Sequence, residues 1–184
     1  MNADPQADGV SSPEFRRLPR TRGCFVCGYH NPAGLGLDLH SDGRLVRATV
    51  VFRPEHAGFS GVVHGGLITT VLDEMMAWVI GVNTRSFAFA AELNVRFVRP
   101  VSPGSELTAS AELAENRRGR LFRTTARLVD GSGATVAEAT GTFLPIPADR
   151  HGALFADFAD DPSDWVGPAK PGSLLKDVSR GTGG

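Results

Sequence analysis

The residues whose types and spacing suit chemistry lie in one stretch, GVVHGGLITTVLDEMM at positions 61–76. His64, Gly65 and Gly66 stand where a helix would begin, and Asp73 follows inside an otherwise apolar run. A helix start carries unpaired backbone N–H groups and a partial positive charge. Two residues without side chains let another molecule approach those amides. That suits a carbonyl oxygen gaining negative charge during attack, with Asp73 two turns further along the same face. Each residue also has a structural reading. The glycines permit a tight strand-to-helix turn, His64 caps or packs, and Asp73 forms a buried ion pair with an arginine such as Arg96. Glu74 reads as a solvated or hydrogen-bonded helix residue.

The helix that must carry these groups is expected from Gly66 to about Ile80. Leu67, Ile68, Val71, Leu72, Met75, Met76, Trp78, Val79 and Ile80 surround most of its axis, the pattern of a buried helix. Gly66, Thr70, Asp73 and Ala77 fall within about 60° of one another and leave one sector of small residues. Gly66 and Asp73 are roughly 10 Å apart in rise, too far to meet at one atom on a straight helix. Two antiparallel chains would bring the helix start of one against the helix middle of the other, which predicts a site shared across a homodimer.

Around that helix the sequence reads as strands. Leu35, Leu37 and Leu39 alternate with polar or small residues, and RLVRATVVF (44–52) follows a Ser-Asp-Gly turn signal. After the helix come period-two runs at Phe87–Phe97, Leu107–Leu113 and Phe122–Leu128, and a last strand at about Thr135–Leu144. A hairpin, one long helix and four consecutive strands make an α+β architecture, with the antiparallel run covering the helix. Residues 1–22 are polar and aperiodic and are expected to be disordered or loosely packed, 23–147 form the domain, and 148–184 form a tail, partly docked or flexible. Leu154, Phe155, Phe158, Trp165, Leu174 and Leu175 are the tail's candidates for docking.

The chain has 184 residues with 41% hydrophobic residues, 21% charged residues and a formal net charge of -1. That balance argues against general nucleic-acid or anionic-membrane binding, which usually show a basic excess. No apolar run approaches the roughly 20 residues of a bilayer span, and the N-terminus lacks a signal pattern, so a cytoplasmic location is expected. The two cysteines form, with His30, a C-x2-C-x2-H triplet in CFVCGYH. It lacks a clear fourth ligand for zinc and the strand-then-helix setting of a redox pair, so a loop role and no metal are expected.

The order of these features resembles the hotdog-fold acyl-CoA thioesterases, particularly the phenylacetic-acid-pathway type and relatives with a Cys-rich lead-in. The residues carrying the resemblance are GVVHGGLITTVLDE (61–74), AELNVRFVRPVSPG (91–104) and CFVCGYHNPAGLGL (24–37), within roughly residues 24–146. The resemblance implies a five- or six-stranded sheet wrapped around the helix, a homodimer or dimer of dimers, and no cofactor beyond the CoA of the substrate. It implies that Asp73 is the catalytic acid, that the Gly66 N–H polarises the thioester carbonyl, and that His64 and Gly65 fill structural and substrate-facing positions. Relatives often have an amide side chain before HGG, where His56 or Ser60 stands here, and a Thr where Ala90 stands. Thr70, Ala90 and Asn94 would border the substrate, and Arg117, Arg118 and Arg120 are candidate phosphate contacts. Two other activities are open: an enoyl-CoA hydratase, which lacks its Asp/His pair here, and a non-catalytic acyl-CoA or lipid-ligand binding protein.

Overall fold

The computed structural model describes residues 14–167. Its centre is a 20-residue helix, α1 (Gly65–Thr84), whose side chains Ile68, Val71, Leu72, Met75, Met76, Trp78, Val79 and Ile80 are buried. The apolar residues on most of its circumference demand cover on several sides. A seven-stranded antiparallel sheet supplies it in the order β1-β2-β3-β7-β8-β9-β6. These strands are β1 (Arg16–Arg17), β2 (Leu39–Ser41), β3 (Val46–Val51), β6 (Ala88–Phe97), β7 (Glu106–Asn116), β8 (Phe122–Asp130) and β9 (Thr135–Pro145). A separate ribbon, β4 (Ala57–Phe59) with β5 (Val62–Val63), leads into α1. This is the hotdog fold, one strand beyond the five or six expected because β1 adds to the β2 edge.

Alternation along β3 and β8 is strict, with Val46, Ala48 and Val50, and Phe122, Thr124, Ala126 and Leu128, facing the core. Contrary to the expectation that no apolar run approaches a bilayer span, α1 is long and apolar enough, by length and composition only, to cross one. Here it is the core of the sheet, with Asp73 and Glu74 near its middle. Its C-cap, Arg85, is left-handed at φ 58°. β6 then runs back along the helix and sets the Phe97 ring against Gly65, where an added Cβ would lie 3.2 Å from it.

Both flanks of the domain are packed. In the N-terminal segment, expected to be loosely packed, β1 pairs with β2 and Leu18 is buried, its N–H donating to the Leu39 carbonyl at 2.7 Å. In the C-terminal segment, α2 (His151–Asp157) and the residues after it return to the core, burying Phe158, Trp165 and Val166. Phe87 stacks edge-on with Phe155 at 5.4 Å. The Arg85 guanidinium donates to the carbonyls of Gly167, Asp164 and Ser163, fastening this segment to the end of α1. Leu174 and Leu175 lie outside the described residues.

Candidate active site

The approach to α1 is built by hydrogen bonds between neighbouring turns. His56 is buried at the end of a short 3-10 turn (Pro54–His56), and its Nδ1 accepts from the Arg53 N–H at 3.1 Å. Burial, and then the charge of Arg53, hold its imidazole below the ordinary value. The His56 carbonyl in turn accepts from the His64 N–H at 2.9 Å. His56 therefore positions His64. Ser60 sits exposed in the β4–β5 turn.

His64 is the N-cap of α1, and its Nδ1 accepts from the Gly66 N–H at 2.9 Å. The amide expected to meet a carbonyl is thus already engaged by the residue two places before it. Gly58 leaves the imidazole room: a Cβ there would lie 3.0 Å from the ring. Thr70 turns its hydroxyl back to the Gly66 carbonyl at 2.8 Å. Along the same line of the helix, Thr70, Asp73 and Ala77 are partly exposed and Gly66 is exposed, so the small-residue sector is open.

Asp73 makes no ion pair among the described residues, and partial burial raises its carboxyl above the ordinary value. Arg96, the partner considered from sequence, pairs instead with Glu138 at 3.5 Å. Arg96 and Glu138 are direct neighbours across β6 and β9, whereas the helix lies on the other face of the sheet from them. Glu74 turns away from Asp73 to the opposite flank, and its Oε1 accepts from the Cys24 thiol at 3.6 Å. Burial pushes Glu74 up to about 7. The hydrogen bond from Cys27 pulls Cys24 down to about 5 and raises Cys27 itself.

The remaining candidates lie elsewhere in the same chain. Asn94 follows the core-packed Leu93 in β6 and so lies on the opposite face, beside Thr140 and Arg123. Ala90 pairs with Phe143, which pairs with Phe122 at the start of β8. The Arg117–Arg120 turn before Phe122 therefore belongs to the Ala90 end of β6, roughly 20 Å of strand from Phe97 and the helix start. There Arg117 is tied to Glu115 at 2.7 Å, while Arg118 and Arg120 make no ion pair among the described residues. Within one chain, then, His56, His64, Gly65, Gly66, Thr70 and Asp73 share a face; Ala90, Asn94 and the three arginines do not join it.

On the Glu74 flank of α1 is a cavity of roughly 270 Å³. Trp78, Phe87, Ile146, Leu154, Phe158 and Val166 form its apolar wall, with Cys24 and Glu74 as polar members. Half of this wall comes from the C-terminal segment, where Leu154 and Phe158 are expected to dock; that they enclose a cavity with Trp78 and Phe87 shows only in three dimensions.

Residues 60–143 match the family model of the thioesterase superfamily, spanning α1 and the strands after it. The matched segment is similar to the thioesterase superfamily, and the fold around it is the hotdog fold. Among solved structures, a thioesterase superfamily protein, RHA08564, is 28% identical over 67% of this chain and 60% of its own, with a TM-score of 0.60. The E. coli PaaI protein from the phenylacetic acid degradation operon is 23% identical over 65% of this chain and 88% of its own, at 0.57. A hypothetical thioesterase from Streptococcus pneumoniae TIGR4, solved with coenzyme A, is 17% identical over 55% of this chain and 81% of its own, at 0.52. No curated protein sequence matches the chain. His64, Gly65, Gly66 and Asp73 all lie within the matched segment.

Proposed function

We propose that this hotdog protein hydrolyses an acyl-CoA thioester to a free acid and CoA in a site shared by two chains. The observation that carries the reading is Asp73: a partly buried carboxylate without a cation among the described residues, on the open face of a helix whose other face is sealed in the core. A carboxylate in that setting costs folding energy and gains nothing from packing, so a role toward a ligand accounts for it.

In the proposed reaction the acyl carbonyl takes the Gly66 N–H, and the His64 ring gives that amide up. Asp73 of the other chain takes a proton from water as the water oxygen bonds to the carbonyl carbon. Collapse of the adduct breaks the C–S bond, and the proton passes to the departing CoA sulfur. A direct attack by Asp73, followed by hydrolysis of the anhydride, uses the same groups. No metal or organic cofactor takes part.

The second chain is supported by β6. It is the edge of the sheet, and Phe89 and Phe97 are each 51% exposed, with Val98 at 41%. An open edge lined with large apolar side chains is unstable toward pairing. A partner antiparallel along it would bring the Ala90 end of one chain toward the Gly65 end of the other, reuniting the residues that one chain keeps apart. A dimer or a dimer of dimers in the cytoplasm fits this reading. No contact with nucleic acid or membrane is part of it.

One observation favours ligand binding without turnover: the Gly66 amide is occupied by His64, and Ala90 offers no hydroxyl. A free-thiol release assay over a panel of aryl- and alkyl-CoA thioesters, with wild type and Asp73→Asn, separates the two. Release by wild type and its loss in the variant supports hydrolysis. Binding of acyl-CoA by wild type without release on any substrate overturns it.

A further inference from the structure

Cys24, Cys27 and Glu74 have no part in the proposed hydrolysis, yet their ligand atoms all lie within 4.8 Å of one another. The group joins two parts of the chain fifty residues apart, the lead-in loop and the middle of α1. Glu74 is a largely buried acid with no cation beside it among the described residues; its polar neighbours are the two thiols and Trp78. The loop shapes the sulfurs for a positive charge. The Val26 N–H donates to the Cys24 Sγ at 3.2 Å, and the Thr21 hydroxyl stands 3.8 Å from the Cys27 Sγ. The Gly28 N–H closes the turn on the Cys24 carbonyl at 3.0 Å, and a Cβ on Gly28 would clash with that carbonyl at 2.4 Å. Such contacts orient and support metal-bound sulfur.

We propose that Cys24, Cys27 and Glu74 bind a soft divalent cation, zinc foremost. Zn–S bonds of about 2.3 Å and Zn–O bonds of about 2.0 Å at a tetrahedral angle put sulfur and oxygen about 3.5 Å apart. The Cys24 Sγ to Glu74 Oε1 distance of 3.6 Å meets that edge without rearrangement. His30, the third member of the sequence triplet, is excluded: it is exposed, with its ring 4.2 Å from that of Tyr29. The carboxylate from α1 replaces it. Cys24 and Glu74 also line the roughly 270 Å³ cavity, so the fourth position opens onto that space, to water or to a ligand's heteroatom. Two thiolates and one carboxylate select zinc or cobalt over magnesium or calcium. Bound there, the ion ties the lead-in loop to α1 one residue from Asp73, and it does not depend on the hydrolytic reading.

The test uses the full chain, purified under reductant, stripped with a chelator and titrated with zinc against a chromophoric chelator. Cobalt provides a thiolate-to-metal absorption band. The expected result is one equivalent per chain. Binding should be more than about a hundredfold weaker in Cys27→Ser and at least about tenfold weaker in Glu74→Gln, with His30→Ala like wild type. Glu74→Gln keeps size and removes a buried charge, and circular dichroism verifies its fold. Folded wild type with both thiols free that binds no zinc or cobalt overturns the proposal. So does metal binding that survives Glu74→Gln but not His30→Ala, or that prefers magnesium.

Discussion

The Gly66 N–H and the His64 Nδ1 are hydrogen-bonded at 2.9 Å, so the amide best placed to polarise a carbonyl is held by its own helix cap. In the proposed reaction, rotation of the His64 side chain frees that amide for the carbonyl. The same contact makes Gly66 sensitive to substitution, because a Cβ there would lie 2.9 Å from that nitrogen.

Gly66→Ala should fold. Alanine gains about 1 kcal/mol over glycine within a helix, and displacing the His64 cap costs about 1 kcal/mol, so the two nearly cancel. Activity is another matter: the added methyl fills the approach to the amide. We expect a melting temperature within a few degrees of wild type and kcat/KM on acyl-CoA at least tenfold lower, read by thermal unfolding and thiol release.

Asp73→Asn should abolish thiol release by a hundredfold or more. The raised carboxyl of Asp73 also sets two pH effects of known sign. Turnover needs the carboxylate, so the acid limb of kcat/KM should lie above the ordinary Asp value of 3.8. Stability runs the other way. The folded state holds the proton more tightly than the unfolded chain, so wild type loses stability relative to Asp73→Asn as pH rises through the folded value. Below the unfolded value the difference should vanish. Urea unfolding of both proteins between acid and neutral pH checks this; a gap that widens toward acid would contradict it.

Mixing the two inactive variants tests the shared site. In a mixed dimer one site pairs the intact Gly66 of the Asp73→Asn chain with the intact Asp73 of the Gly66→Ala chain. Random re-pairing of equal amounts across a two-fold interface should restore about a quarter of wild-type activity. A mixture as inactive as its components would place both groups in one chain.

Phe97→Glu addresses the interface itself. The ring is half exposed on the open edge of the sheet and packs over Gly65. A charge there should give a monomer in light scattering and lose thiol release.

Trp165→Ala should lower stability by about 3 kcal/mol or more, the usual cost of truncating a buried tryptophan. The indole is 4% exposed, with the Arg16 guanidinium 4.6 Å above its ring. Chemical denaturation measures this, and a small change would show that residues past α2 are merely laid on the surface.

What could be read in advance followed from local rules. Period-two alternation located β6, β7 and β8, turn signals and β-branched residues located β3 and β9, and the all-round apolar pattern marked α1 as buried, though it runs to Thr84 rather than Ile80. The first strand shrank to Leu39–Ser41, because Leu35 and Leu37 bond to Phe25 and Val26 in the lead-in instead. The open sector Gly66-Thr70-Asp73-Ala77 was legible because helical geometry alone fixes it. The His64–Gly66 bond was not, since whether a histidine caps or contacts substrate depends on its rotamer. Nor was the turn of Glu74 toward Cys24, because nothing local in either stretch refers to the other. Docking of the C-terminal segment was legible in Phe158 and Trp165, both buried, whereas Leu18 and Val166 are isolated apolar residues in polar surroundings whose burial only the folded sheet reveals.

The cavity beside Glu74 takes part of its wall from Leu154, Asp157, Phe158 and Val166, all beyond residues 60–143 that match the superfamily. The turn and the acid lie inside the matched segment, whereas the size and shape of the adjoining chamber depend in part on an appendage outside it. Changes confined to that appendage would widen or narrow the chamber and leave the turn and the acid untouched.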